Sequence, residues 1–129
     1  MRLTRIHQVA ARMNDPEATR RFYQDVLGAR YVASFDPPGL VFFDFAGTRV
    51  LFEREARPAT LYFWVDDIDA AHAELVARGV EFEQPPHLIH RDDTGTFANA
   101  GTEEWMAFFQ DPGENVLALA SHRDAPADG

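Results

Sequence analysis

His87 and His90 stand three residues apart in the segment Pro86-His87-Leu88-Ile89-His90-Arg91-Asp92-Asp93. On a loop two such imidazoles are close enough to share a site, and imidazole is a common ligand-contact and acid–base group, so they are candidates for either role. The plainer expectation is that each is solvated and idle. Glu103 and Glu104, beside Trp105, are candidate general bases if buried, and are otherwise expected at a surface edge. His72 and Glu74 fall on a predicted helix face and His122 ends the last predicted strand. Nucleophilic chemistry has little support. The chain has no cysteine, and its only serines, Ser34 and Ser121, lie in no Gly-x-Ser-x-Gly elbow. No glycine-rich loop of phosphate-cradling spacing is present either.

A chain of 129 residues with 46% hydrophobic content is expected to form one compact domain spanning 1–129. No apolar stretch approaches the roughly 20 residues that span a bilayer, and Met1-Arg2-Leu3-Thr4-Arg5 lacks a signal-peptide core. A cytoplasmic protein with no membrane partner is therefore expected. Twelve cations, all arginine, face 21 carboxylates, for a formal net charge of −9. The longest basic run is Arg20-Arg21, which does not make a phosphate-binding surface, so no nucleic-acid partner is expected. The acidity serves solubility, or attracts a cationic small molecule.

Asp15-Pro16-Glu17 reads as a helix start, with Asp15 as N-cap, Pro16 in the first turn and a carboxylate facing the helix dipole. Ala18, Phe22 and Val26 recur every four residues, Tyr23 and Leu27 widen the stripe, and Gly28 stops it. Three strands are predicted over 29–35, 39–45 and 48–53, after a first strand over 6–11. The order then restarts with a strand from Leu61 and a helix capped by Asp66-Asp67, with Ile68, Ala71 and Leu75 inward and Gly79 at its end. A strand is predicted over Val80 to Glu83, and no clear periodicity from His87 to Thr102. That segment is expected to be a functional loop, with Thr94 to Thr102 as a lid or disordered. A closing hairpin follows over 105–109 and 115–120, and a frayed tail over 123–129.

The second half repeats the first. Phe42-Phe43-Asp44-Phe45-Ala46-Gly47-Thr48-Arg49-Val50-Leu51 returns 66 positions later as Phe108-Phe109-Gln110-Asp111-Pro112-Gly113-Glu114-Asn115-Val116-Leu117, identical at five of ten positions. Each copy reads as strand, turn, strand, which points to duplication of one βαβββ unit.

Two βαβββ modules, helix starts of the form Asp-Pro-Glu-Ala and Asp-Ile-Asp-Ala, Phe22-Tyr23 followed by Val26-Leu27-Gly28, and the hairpin Phe108 to Asn115 together resemble the vicinal oxygen chelate superfamily, the glyoxalase, bleomycin-resistance and extradiol-dioxygenase group. The resemblance covers about residues 5 to 122. It implies an α+β fold in which two tandem βαβββ modules, about 5–55 and about 59–122, form a curved mixed-sheet cup with helices outside. It also implies a small-molecule ligand in the cup and a homodimer.

Superfamily enzymes place metal ligands, mostly His and Glu, at four strand positions. Carried onto this chain, the first is Gln8, seven residues before Asp15, which leaves His7 on the opposite face. The same spacing before Asp67 selects Thr60, three residues after Asn115 lies Ala118, and the repeat maps Ala118 onto Phe52. Phe and Ala offer no donor and Thr is a poor one, whereas a divalent site needs about three protein donors. No metal and no cofactor are expected, unless a one-residue slip swings His7 and Glu53 inward.

If Thr60 faces the cup, alternation carries Tyr62 and Trp64 with it. With Phe52 and Trp105 these rings would sandwich a flat ligand, or else fill the cup as core. The similarity to metal-free relatives in the Pro86 to Ile89 and Trp105 to Phe109 segments implies a ligand-lining His87. The chain is thus expected to be a metal-independent small-molecule-binding protein that sequesters an aromatic or cationic compound. The alternatives are a lyase or isomerase of the glyoxalase or methylmalonyl-CoA epimerase type, and a metal-free acid–base enzyme using His87 or His90.

Overall fold

The structure, a computed structural model, describes residues 1–97 and 99–127. Its fold is α+β: two four-stranded mixed sheets, one from each βαβββ module. The chain divides into two compact units, the first made of Met1–Thr60 and Gln110–Val116, the second of Leu61–Phe109 and Leu117–Gly129.

In the first unit, β1 (Gln8–Arg12) is followed by α1 (Pro16–Arg20), whose N-cap Asp15 accepts from the Glu17 amide at 3.1 Å. The helix then widens into a π-helical stretch, Arg21–Val26, in which the Leu27 amide reaches back to the Phe22 carbonyl. That extra residue per turn rotates the inward face. Tyr23, expected only to widen the apolar stripe, becomes its most buried member, while Ala18, Phe22 and Val26 remain half-buried. β2 (Arg30–Phe35), β3 (Leu40–Phe45) and β4 (Thr48–Glu53) complete a sheet of order β1-β4-β3-β2, with β1 parallel to β4 and the other pairs antiparallel.

Alternation gives this sheet one packed and one open face. Ala11, Val41, Phe43, Val50 and Phe52 point toward the helix and are buried, and the Tyr23 ring lies 5.5 Å from Phe43 and 4.5 Å from Phe52. Each such ring contributes about 1.5–3 kcal/mol through burial. Gln8, Ala10, Arg49, Leu51 and Glu53 take the open face.

The turn Gln110–Val116, which joins two strands of the second sheet, packs within the first unit. A Cβ at Gly113 would lie 2.2 Å from the Arg12 carbonyl oxygen, so only glycine fits there. Asn115, fully buried, accepts from the amides of Arg12 (3.1 Å) and Ala59 (2.8 Å) and donates to the Arg12 carbonyl and Asp111, both at 2.7 Å. Asp111 accepts from the Gly113 and Asn115 amides and from the Tyr23 hydroxyl, the last at 2.5 Å. Burial, and then the adjacent carboxylate, push the Tyr23 phenol well above its ordinary range.

In the second module β5 (Thr60–Trp64) is followed by α2 (Ile68–Ala77), and β6 (His87–Asp92), β7 (Thr102–Gln110) and β8 (Val116–Asp124) complete a sheet of order β5-β8-β7-β6. Two expectations are corrected here. Val80 to Glu83, predicted as a strand, makes a single bridge between Phe82 and Phe109, whereas His87 to Asp92, predicted as a loop, is strand β6. β6 pairs antiparallel with β7 across a bulge between Leu88 and His90. Its hydrogen-bond partners lie beyond a long loop, so neither local propensity nor strict alternation marks it. The tail also begins later than expected: β8 runs to Asp124, and Arg123 stacks on Trp105 at 4.0 Å and pairs with Asp69. Its last residues, 128–129, and Ala98 in the expected lid lie outside the described residues. Among the described residues no helix is long and apolar enough to cross a membrane.

Candidate functional site

The two modules can be superposed by their ladders. The Arg49 amide donates to the His7 carbonyl at 3.2 Å, and the Val116 amide to the Ala59 carbonyl at 3.0 Å. His7 and Ala59 are equivalent, each preceding the first slot of its module, so Arg49 and Val116 are equivalent as well. They lie 67 positions apart, one more than the 66 of the sequence repeat. Five residues, Asp111-Pro112-Gly113-Glu114-Asn115, separate Gln110 from Val116, where the first copy has four, Phe45-Ala46-Gly47-Thr48, between the paired Asp44 and Arg49.

This slip corrects the slot assignment. Ala118 corresponds to Leu51, and Phe52 sits on the packed face, fully buried against Tyr23 and Phe43. The open face carries Gln8, Leu51 and Glu53, but Glu53 pairs with Arg12, about 13 Å along the strand from the level of Gln8. His7, expected to face away, instead brings its Nε2 to 3.3 Å from Arg49 Nη2, and Arg49 Nε donates to Gln8 Oε1 at 2.7 Å. The donor set does not fit a divalent metal. Gln8 is engaged by a guanidinium, Leu51 and Ala118 have no donor atom, and among the described residues no three His, Asp or Glu side chains converge.

In the second sheet, the ladder between Val116 and Ala59 at one end and Val65 and Ala120 at the other sets Tyr62 beside Ala118 and Trp64 beside Ala120. Tyr62 and Trp64 are each 58% exposed, Tyr62 meeting the Phe108 ring edge-on at 6.2 Å and Trp64 the His122 ring at 4.9 Å. Thr60 begins the same row, and Ala118 is fully buried at its floor. His87 lies opposite Met106 and His90 opposite Glu104, the bulge keeping both imidazoles on one face. The His87 ring lies 6.2 Å from Phe108. Trp105 is on the other face, its Nε1 donating to buried Glu103 at 3.0 Å, so it joins no sandwich with Tyr62 and Trp64.

Sequence patterns did not single out the pair at the end of this face. His122 Nε2 lies 3.0 Å from Glu104 Oε1, both side chains half-exposed, beside a cavity of about 150 Å³ lined by His90, Asp92, Phe97, Thr102, Glu104 and His122. Glu104 and His122 are 18 residues apart on neighbouring strands, and alternation within each strand was the only local signal. Asp92 has a different role. Its carboxylate accepts from the amides of Gly95, Thr96 and Phe97 at 2.8–2.9 Å and so shapes the loop that carries Phe97 over His90.

A duplicated βαβββ domain with ligand-sized features on its open sheet faces is the class that this geometry defines. The chain belongs to the glyoxalase/bleomycin resistance protein/dioxygenase superfamily, whose family model matches residues 5–119. It is similar to a glyoxalase/bleomycin resistance protein/dioxygenase from Nocardioides, at 18% identity over 100% of this chain and 92% of that one, TM-score 0.72. It is also similar to a superfamily member from Sphaerobacter thermophilus (22%, 92% and 98%, TM-score 0.73) and to a lactoylglutathione lyase from Agrobacterium tumefaciens (20%, 93% and 95%, TM-score 0.71). At these identities the likeness is one of fold. Among curated proteins no sequence match is found.

Proposed function

We propose that this chain binds a small, flat organic molecule on the open face of the β5-β8-β7-β6 sheet, stacked on Tyr62 and Trp64, without a metal. The observation that carries this is the exposure of two large rings side by side on a face where superfamily enzymes keep ligand positions. Exposed aromatics in a row lower the desolvation cost for a planar guest, and each stacked pair adds about 0.5–1.5 kcal/mol beyond area burial. Metal independence is supported by the donor set, in which Arg49 occupies the acceptor of Gln8. The test is a fluorescence titration of the Trp105→Phe protein, in which Trp64 is the only indole, against planar aromatic cations and their neutral isosteres. Saturable quenching is expected, weakened about tenfold by Tyr62→Ala. Absence of quenching by every compound, or stoichiometric zinc, nickel, iron or manganese in the purified protein, would overturn it.

A second function, metal-free acid–base chemistry, is favoured by the His122–Glu104 pair rather than by His87 or His90. Glu104 Oε1 lies 3.0 Å from Nε2, the orienting arrangement by which a carboxylate positions an imidazole toward a bound molecule, and the cavity is the size that holds a benzene ring, about 150 Å³. Any turnover found should fall about 10²–10⁴-fold in His122→Ala, less in Glu104→Gln, and remain in His87→Ala. Full activity in His122→Ala would remove this function.

A further inference from the structure

Arg49 lies on the open face of the first sheet, where superfamily enzymes begin a cation site. Its Nε donates to Gln8 Oε1 at 2.7 Å and its Nη2 to His7 Nε2 at 3.3 Å, while its guanidinium carbon sits 5.5 Å from the Phe42 ring centre. Three neighbours thus hold a long, flexible side chain in one orientation. An arginine has five N–H donors in a rigid plane. Gln8 and His7 use one on each of two nitrogens, so both Nη1 hydrogens and one on Nη2 remain. The side chain is exposed, and it borders an open groove lined by Arg30, Val32, Asp44, Ala46, Gly47 and Arg49. Arg30 stands 3.8 Å from Asp44, whose same oxygen also accepts weakly from the Gly47 amide at 3.4 Å.

We infer that Arg49 is a binding site for the carboxylate of a small organic anion, the guanidinium supplying the positive charge that a metal supplies in chelating relatives. A carboxylate matches the free edge of the fork with two parallel hydrogen bonds, which a point charge cannot offer. Val32, 52% exposed on the groove wall, accommodates an apolar body behind the carboxylate. Among the described residues lining the groove Asp44 is the carboxylate; it engages Arg30 and opposes entry of a second anion. The overall charge of −9 disfavours loose anion adsorption, so saturable binding here reports the local fork. The site lies in the first unit and stands independently of the aromatic row.

The test uses the full chain labelled with ¹⁵N, titrated with benzoate, inorganic phosphate and benzyl alcohol while the Arg49 Nε–Hε resonance is followed. Benzoate is expected to shift it saturably, with Kd about 1 mM or tighter, phosphate more weakly, and benzyl alcohol not at all. Arg49→Lys should weaken benzoate binding about tenfold, Arg49→Gln should abolish it, and Asp44→Asn should strengthen it, each with an otherwise preserved amide spectrum. The benzoate shift should shrink as salt is raised. No saturable benzoate shift, an equal response to benzyl alcohol, or unchanged binding in Arg49→Gln would overturn the inference. Trp64 quenching is a separate readout, so either site can fail alone.

Discussion

Asn115→Ala is expected to lower the stability of the protein by about 3–5 kcal/mol, among the largest effects of any single substitution in this chain. Four hydrogen bonds end on the Asn115 amide group, and it is fully buried. Its loss leaves the Arg12 and Ala59 amides and the Arg12 carbonyl without their partner, and removes one donor from the Asp111 carboxylate. Each group so orphaned costs about 1–3 kcal/mol of desolvation, reduced where water can enter the vacated space. Denaturant unfolding measures this directly: the midpoint should fall with little change in slope. A loss below about 1 kcal/mol would mean that the turn is not held through this side chain.

Alkaline pH should destabilise the same region. The Tyr23 phenol is buried against Asp111, and its ionisation is pushed far above its ordinary value near 10. Above that ordinary value the unfolded chain releases this proton and the folded chain keeps it. The folded state then binds more protons, so stability falls as pH rises, by about 1.4 kcal/mol per pH unit from this residue. Below pH of about 10 the contribution is fully present. Thermal melts between pH 9 and 11.5 should show this decline, and Tyr23→Phe should flatten it while lowering stability at neutral pH through the lost hydrogen bond to Asp111. An equal alkaline decline in Tyr23→Phe would assign the effect to other groups.

Much of the fold was legible because its signals are local. Asp15 and Asp67 cap the two helices as their positions suggest, since a short carboxylate before an apolar stripe satisfies free amides wherever it occurs. The repeat located the two hairpins for the same reason. The register was less legible. A repeat counted in sequence aligns residues, whereas a ladder aligns hydrogen bonds, and one extra residue in a turn reverses every face beyond it. Phe52 was therefore misassigned to the open face, while Tyr62, Trp64 and Ala118, counted within their own module, were not affected.

The π-helical stretch and strand β6 were illegible for a related reason. Tyr23 is drawn inward by a partner, Asp111, 88 residues away, and β6 exists because β7 lies beside it. The sequence by itself determined the family and the duplicated module, since these depend on residue identity and local order. Only the tertiary structure decided which residues share a face. It put Arg49 on Gln8 and Glu104 on His122, because pairing strands distant in the chain sets side chains together at a spacing that no local pattern encodes.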